Sequence, residues 1–311
     1  MKRMNLLFIT PKWAPYVFIS PFVLLFGIFG LFPLLFSLYL AFQSWEPTNG
    51  LAAMEFVGLG NFVFAIQDEW FWKSLGNTAW MALASGVPQH LVAIPLAYFI
   101  HSSFSRLRNG VVGAYFLPYI TSTVAIAIMF SSLFSTDFGL INVAINALGS
   151  IPGLGWLTPS EPIDWMGNPA NIKPAISMIV FWRYVGFNVV LYLAALQTIP
   201  KDIYEAATMD GAGRLQQFFY ITLPSLRPMI YFGVTLSVIG GLQLFEEPFI
   251  LTGGRGGSDQ AGMTTAIYLY RMAFDFNDFG AASAMSWLLF VVVVLLTWLT
   301  NRAFRPRTSQ G

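Results

Sequence analysis

Long apolar runs alternate with short polar ones along the whole chain. Segments with no charge, or almost none, cover residues 14–44, 74–105, 109–136, 174–200, 228–245 and 279–301. A bilayer core needs roughly 20 apolar residues of helix to cross it, and a helix satisfies its own backbone there. Each run can hold one such helix. The pattern therefore predicts an all-α membrane protein with six transmembrane helices, near 15–43, 75–101, 110–134, 174–198, 228–251 and 279–301, in a single transmembrane domain over 1–311. The longest polar stretch between spans on the fourth-to-fifth side is the loop 199–227.

The basic residues give the orientation, because lysine and arginine near helix ends stay on the cytoplasmic side. Six spans put both termini on one side. If that side is the cytoplasm, Lys2, Arg3, Lys12, Arg106, Arg108, Lys201, Arg214, Arg227, Arg302, Arg305 and Arg307 lie inside, eleven in all. Only Lys73, Lys173, Arg255 and Arg271 lie outside, which makes four, and Arg183 falls within a span. Both termini and the loop 199–227 are thus expected in the cytoplasm. The run from Ile19 to Phe42 exceeds the roughly 7 to 15 residues of a signal peptide's apolar region, and no small-residue cleavage site follows it. It reads as an uncleaved first helix.

Composition agrees: 56% of residues are hydrophobic and 10% charged, against about a quarter charged in soluble domains. Several chemistries are excluded. There is no cysteine, so neither a disulfide framework nor a thiolate metal site exists. The two histidines, His90 and His101, are unclustered, which suits a structural role better than metal ligation. None of the five lysines follows a glycine, so no phosphate-cradling Walker loop is present. No metalloprotease, nucleophile-elbow or intramembrane aspartate-pair motif marks an enzyme.

The loop 199–227 carries the most structured polar sequence. Pro200 suits the first turn of a helix, where its missing donor costs nothing, and Asp202 and Glu205 follow near the positive end of the helix dipole. A helix over 200–209 is expected. Ala206 and Ala207 keep one part of it thin enough for close approach to another protein. Gly211 allows a backbone angle that larger residues resist, and so bends or breaks the helix. Leu215, Phe218 and Phe219 then recur at helical spacing, and Pro224 and Pro228 are expected to end this second short helix. The product is a rigid elbow outside the membrane.

Spacing ties that elbow to a known family. Glu205-Ala206-Ala207, three residues, Gly211, nine residues, Ile221, one residue and Leu223-Pro224 match without a gap the signature loop of the permease subunits of binding-protein-dependent ABC importers. Leu193-Ala194-Ala195-Leu196-Gln197-Thr198-Ile199-Pro200 and Asp210-Gly211-Ala212 resemble the carbohydrate-uptake, maltose and glycerol-phosphate type, branch. So do the words from Glu55 to Phe62 and from Trp70 to Thr78, near the first two spans. Thr252-Gly253-Gly254 resembles a recurrent word of the same branch, with Arg255 in place of its proline.

The resemblance implies a type I importer permease fold in the bacterial cytoplasmic membrane. It makes the elbow a coupling helix that docks on a separate ATPase, with Glu205, Ala206, Ala207, Asp210, Gly211, Ile221, Leu223 and Pro224 as coupling residues. It implies a second permease, expected to be a different chain, two ABC ATPase subunits carrying ATP and magnesium, and an extracytoplasmic solute-binding protein docking on outer loops. This chain would bind no cofactor and no nucleic acid. Membrane lipid surrounds it, and a sugar or polyol crosses it.

The path itself is harder to read. A charge near the bilayer centre costs about 3 kcal/mol on insertion scales and tends to face a cavity or a partner. Arg183 lies about 12 Å into the fourth helix at 1.5 Å per residue, and with Trp182, Tyr184 and Asn188 it offers stacking faces and hydrogen bonds to a polyhydroxylated ligand. Pairing with a carboxylate at the interface between two permease subunits is the other reading. Glu246 and Glu247 sit near the outer end of the fifth span, where Pro248 is expected to end its regular part, and either line the outer mouth or reach interfacial water. An ion-coupled secondary transporter would also have six spans and buried charges, and it would contact no ATPase.

Overall fold

The computed structural model describes residues 12–103 and 108–304. Lys2, Arg3, Arg106, Arg305 and Arg307, five of the inside-set cations, lie outside the described residues. Among the described residues the regular structure is helical apart from a pair of two-residue strands. Five helices are long and apolar enough to cross a membrane: Ala14–Leu40, Glu69–Ser102, Pro169–Leu196, Arg227–Leu251 and Phe279–Ala303. A bent pair, Gly110–Ile120 and Thr123–Leu133, counted as one broken span, brings the number to the six expected.

The third span is not the straight helix that the apolar run 110–134 suggests, since its halves meet at 92°. The break follows Pro118, which cannot donate to the ladder, and falls beside two hydroxyl residues. Thr121 Oγ1 donates to the Leu117 carbonyl at 2.8 Å, and Ser122 takes an extended backbone, φ −54° and ψ 129°. Such side chains offer the backbone an alternative to the helix ladder. The fifth span is interrupted as well. Its main helix, Arg227–Leu242, stops before Gln243, and a short helix restarts at Glu246. The break precedes the two glutamates, and Pro248 falls inside the restarted helix instead of ending the span.

The chain forms two compact units, residues 1–67 with 271–288, and residues 68–270 with 289–311. In the first unit, Ala14–Leu40 carries a wide turn at Gly27–Leu31 and leaves nearly all of its large apolar side chains exposed. Gln43–Ser44 pairs antiparallel with Glu55–Phe56. Asn61 Nδ2 clamps this ribbon by donating to the carbonyls of Ala41 and Gln43 at 3.1 and 2.8 Å. The segment 45–73 holds the second strand of this ribbon, a helix at Gly60–Gln67 and the start of the second span.

The second unit contains the functional candidates. Its centre is the packing of the second span on the fourth. Ala93 and Ala97 are fully buried against Val189, Tyr192, Leu193 and Leu196, and small residues of this kind let membrane helices approach closely. Gly186 permits the third span to lie on the fourth, since a Cβ there would come within 1.7 Å of the Tyr115 carbonyl oxygen. Beyond the third span, Leu140–Gly149 forms a short helix pinned by buried Asn142. Its amide donates to the Ile163 carbonyl at 2.9 Å and accepts from Trp165 Nε1 at 3.0 Å.

Candidate functional site

The loop 199–227 folds as an elbow with two arms. Pro200 is the residue before the first arm, with ψ 137°, and the helix runs Lys201–Met209, one residue later than the proline's first-turn preference suggests. Its end is closed by two backbone bonds. Gly211 N–H reaches the Thr208 carbonyl at 3.0 Å and Ala212 N–H reaches the Ala207 carbonyl at 2.9 Å. This pair defines a Schellman cap, which requires a left-handed residue at its centre. Gly211 supplies it with φ +82°.

The second arm starts at Arg214, where the Gln216 side chain caps it by accepting from Gly213 N–H at 2.8 Å. Pro224 and Pro228 do not end it. The chain keeps right-handed helical dihedrals through a wide turn at Phe218–Thr222, through Leu223–Ser225 and on into Arg227–Leu242. The wide turn accommodates prolines that cannot donate to the ladder. The arm is therefore an extension of the fifth span.

Side chains lock the arms together and to the spans. Gln217 Nε2 donates to Thr208 Oγ1 at 2.9 Å and to the Ala212 carbonyl at 3.0 Å. The hydroxyls of Tyr204 and fully buried Thr222 meet at 2.9 Å. At the inner end of the second span, Tyr98 donates to the Arg214 carbonyl at 3.1 Å, and its ring lies 5.2 Å from that of Phe218. Between the arms lies a hollow of about 350 Å³ lined by Ala207, Asp210, Gly211, Ala212, Gln217 and Ile221, among others. Glu205 and Ala206 are exposed outside it, and Leu223 and Pro224 follow in the next helical segment, half-buried and exposed. Met209, Leu215, Phe219 and Tyr220 are all largely exposed. The elbow is stapled by its own side chains yet leaves apolar side chains uncovered at its surface.

The membrane candidates separate into two groups. Arg183 Nη1 lies 2.5 Å from Glu247 Oε1, and the Glu247 side chain is 4% exposed. Glu246 reaches the same nitrogen at 3.9 Å and accepts from Thr123 Oγ1 at 2.5 Å. The fourth span, the restarted end of the fifth and the bend of the third are thus tied by one charged knot. Arg183 finds its carboxylate within its own chain. Its Nε is buried without a hydrogen-bond partner among the described residues, and its guanidinium stacks 5.4 Å from the Tyr184 ring.

Below the knot lies a cavity of about 230 Å³. Of the residues singled out in the sequence, Tyr184 and Asn188 line it, together with Ser85, Gln89, Tyr119 and Ser237, which the sequence did not single out. Asn188 Nδ2 donates to Gln89 Oε1 at 3.1 Å, and Gln89 Nε2 to the Val180 carbonyl at 3.3 Å. Tyr119 stacks on Phe187 at 4.8 Å and meets Tyr184 edge-on at 5.7 Å. The adjacent polar pair Gln89-His90 in an apolar span was the available signal for the missed face. Trp182 lies elsewhere, packed on Phe130 at 5.2 Å and lining a separate hollow with Tyr115 and Pro118. His90 is structural: its ring nitrogens bond Tyr192 at 2.7 Å and Ser237 at 3.0 Å, which joins three spans.

Residues 92–310 match the family described as the binding-protein-dependent transport system inner membrane component. The chain belongs to this family. It is a transport subunit, an ABC importer permease of the inner membrane. The permease is 34% identical over 293 residues to a lactose transport system permease protein of Rhizobium radiobacter, covering 94% of each chain. It is 32% identical over 306 residues to an arabinooligosaccharide transport system permease protein of Bacillus subtilis, covering 98% of this chain and 93% of that one. A sulfoquinovosyl glycerol permease of Agrobacterium fabrum is 30% identical over 292 residues, with 93% of this chain and 89% of that one covered. Among solved structures, a bacterial ABC transporter importing the acidic polysaccharide alginate matches with a TM-score of 0.78 and 25% identity, over 96% of this chain and 97% of that one. The type I importer permease fold is thereby established for this chain.

Proposed function

We propose that this permease forms half of the membrane pathway for a sugar or related polyol, handed over by a solute-binding protein, and that the elbow receives the motion of a separate ATPase. The observation that carries the coupling role is the elbow itself: a stapled, capped double arm whose second half is continuous with a span and whose apolar rim at Met209, Leu215, Phe219 and Tyr220 is uncovered. A rigid body of this kind transmits displacement, where a flexible loop would absorb it. Glu205, exposed on the first arm, is the charged contact, and the hollow beside Ala207 and Gly211 receives part of the partner. ATP and magnesium belong to two ATPase subunits. A second, different permease would complete the pathway.

The sugar class is supported by the relatives named for lactose and arabinooligosaccharides and by a cavity that pairs tyrosine faces with amides and hydroxyls. Alternating access follows: closure of the ATPases moves the elbow, the elbow moves the fifth span, and the cavity changes the side to which it opens.

The test is copurification and uptake with the complete set of subunits expressed. ATPase should copurify in detergent with the wild-type permease, and Glu205→Lys should weaken that association or leave ATP hydrolysis running without uptake. Absence of any ATPase in the purified complex, or unchanged uptake by the variant, overturns the coupling role.

A further inference from the structure

The charge layout around the cavity narrows the substrate class. Among the described residues, none lining it is charged: its polar groups are the hydroxyls of Ser85, Tyr119, Tyr184 and Ser237 and the amides of Gln89 and Asn188. The nearest cation on the same helix, Arg183, is absent from the lining and committed to Glu247 at 2.5 Å. With Glu246 beside it, one guanidinium there faces two carboxylates, so the knot is net negative, and the Glu246 side chain is 63% exposed. This knot begins two residues beyond Leu244, which lines the cavity. Lys173, further out along the fourth span, is held by Asn77 at 3.2 Å over the Trp80 ring. A carboxylate or phosphate entering the cavity would lose water, gain no cation and pass a surplus negative charge, a combination that desolvation makes costly. A neutral hydroxylated ring meets none of these penalties. At about 30 Å³ per water, the cavity has room for about eight waters, the bulk of a single sugar ring.

We infer that the substrate is an uncharged glycoside or polyol, and that this cavity excludes uronates and sugar phosphates. The inference rests on the sugar reading proposed above. The permease therefore shares its fold with an importer of an acidic polysaccharide while its own membrane site selects against acidic sugars. Selection of this kind acts after delivery, so the membrane would discriminate between solutes that a binding protein had already released.

The assembled permease and ATPase complex in lipid nanodiscs, without binding protein, tests this by saturation-transfer NMR. The probes are neutral mono- and disaccharides, each matched with its uronide. At least one neutral member should bind, its uronide at least tenfold more weakly, and Gln89→Lys should bring the two within threefold of each other by placing a cation in the cavity. Asn188→Lys replaces that variant if the first does not assemble. A uronide that binds the wild-type complex as well as its neutral match overturns the inference and leaves the sugar reading intact. An unchanged preference in the assembled lysine variants also overturns it, because the missing cation would then not be the cause. Silence from the entire panel overturns the sugar reading, and the inference with it.

Discussion

The elbow and the charged knot are the two most constrained parts of the second unit, and they are constrained in opposite ways. The elbow is built from one contiguous stretch, Lys201 to Ser225, whose side-chain staples lie mostly within that stretch, the Tyr98 bond to the Arg214 carbonyl being the tie from a span. The knot joins Thr123, Arg183, Glu246 and Glu247 from three spans. A local device tolerates changes elsewhere in the chain and presents the same shape to a shared motor. A non-local one holds only if all three spans are correctly placed, so it reports on the arrangement of the membrane helices. Water screens the elbow's charges, whereas the knot's charges depend on one another.

That contrast predicts the largest loss at the knot. Glu247→Ala leaves the Arg183 guanidinium buried without its close partner, and breaking such pairs costs about 3 to 5 kcal/mol. The expected outcome is a large fall in thermal unfolding temperature in detergent, with Arg183→Met/Glu247→Met recovering most of it. A single variant as stable as wild type would break the comparison. For Arg183→Ala the expected loss is similar in kind, accompanied by altered transport specificity in complexes that still assemble.

Gly211→Val comes next. A β-branched residue at φ +82° opposes the Schellman cap at a cost of about 1 to 3 kcal/mol. Since the damage is confined to the elbow, sugar-stimulated ATP hydrolysis should fall by about tenfold or more while the unfolding temperature shifts little. A collapse of global stability instead would show that the elbow is not local.

The smallest effect is expected from Tyr204→Phe, which removes one staple, to Thr222, worth about 1 kcal/mol. Hydrogen exchange should rise in Lys201–Met209 and stay unchanged in the spans. Uniform exchange across the second unit would refute the separation between the two regions.

The same contrast governs what could be read from sequence. Gly211 announced its own bend, and the helix before it was legible because caps and turn residues act on neighbours. The fate of Pro224 was misjudged, because a wide turn four residues earlier removes the clash on which the expectation relied. Span count followed from apolar length, but the 92° bend falls at Ser122, just after Pro118 and Thr121, which an apolar run conceals. Arg183 was singled out by its cost in the membrane, yet its partner Glu247 is 64 residues away and no periodicity links them. Gln89 and Tyr119 joined the cavity only through the packing of the second, third and fourth spans. Short-range chemistry is written in the order of residues, and cavity walls are not.

From Arg214 to Leu242 the backbone never leaves helical dihedrals, a rod of about 40 Å at 1.5 Å per residue. On the coupling role proposed above, it would work as a crankshaft. Torque applied to Leu215 would reach Gln243, where the helix stops for three residues. That gap would then be the universal joint, letting the shaft turn while the knot beyond it stays in register with the fourth span.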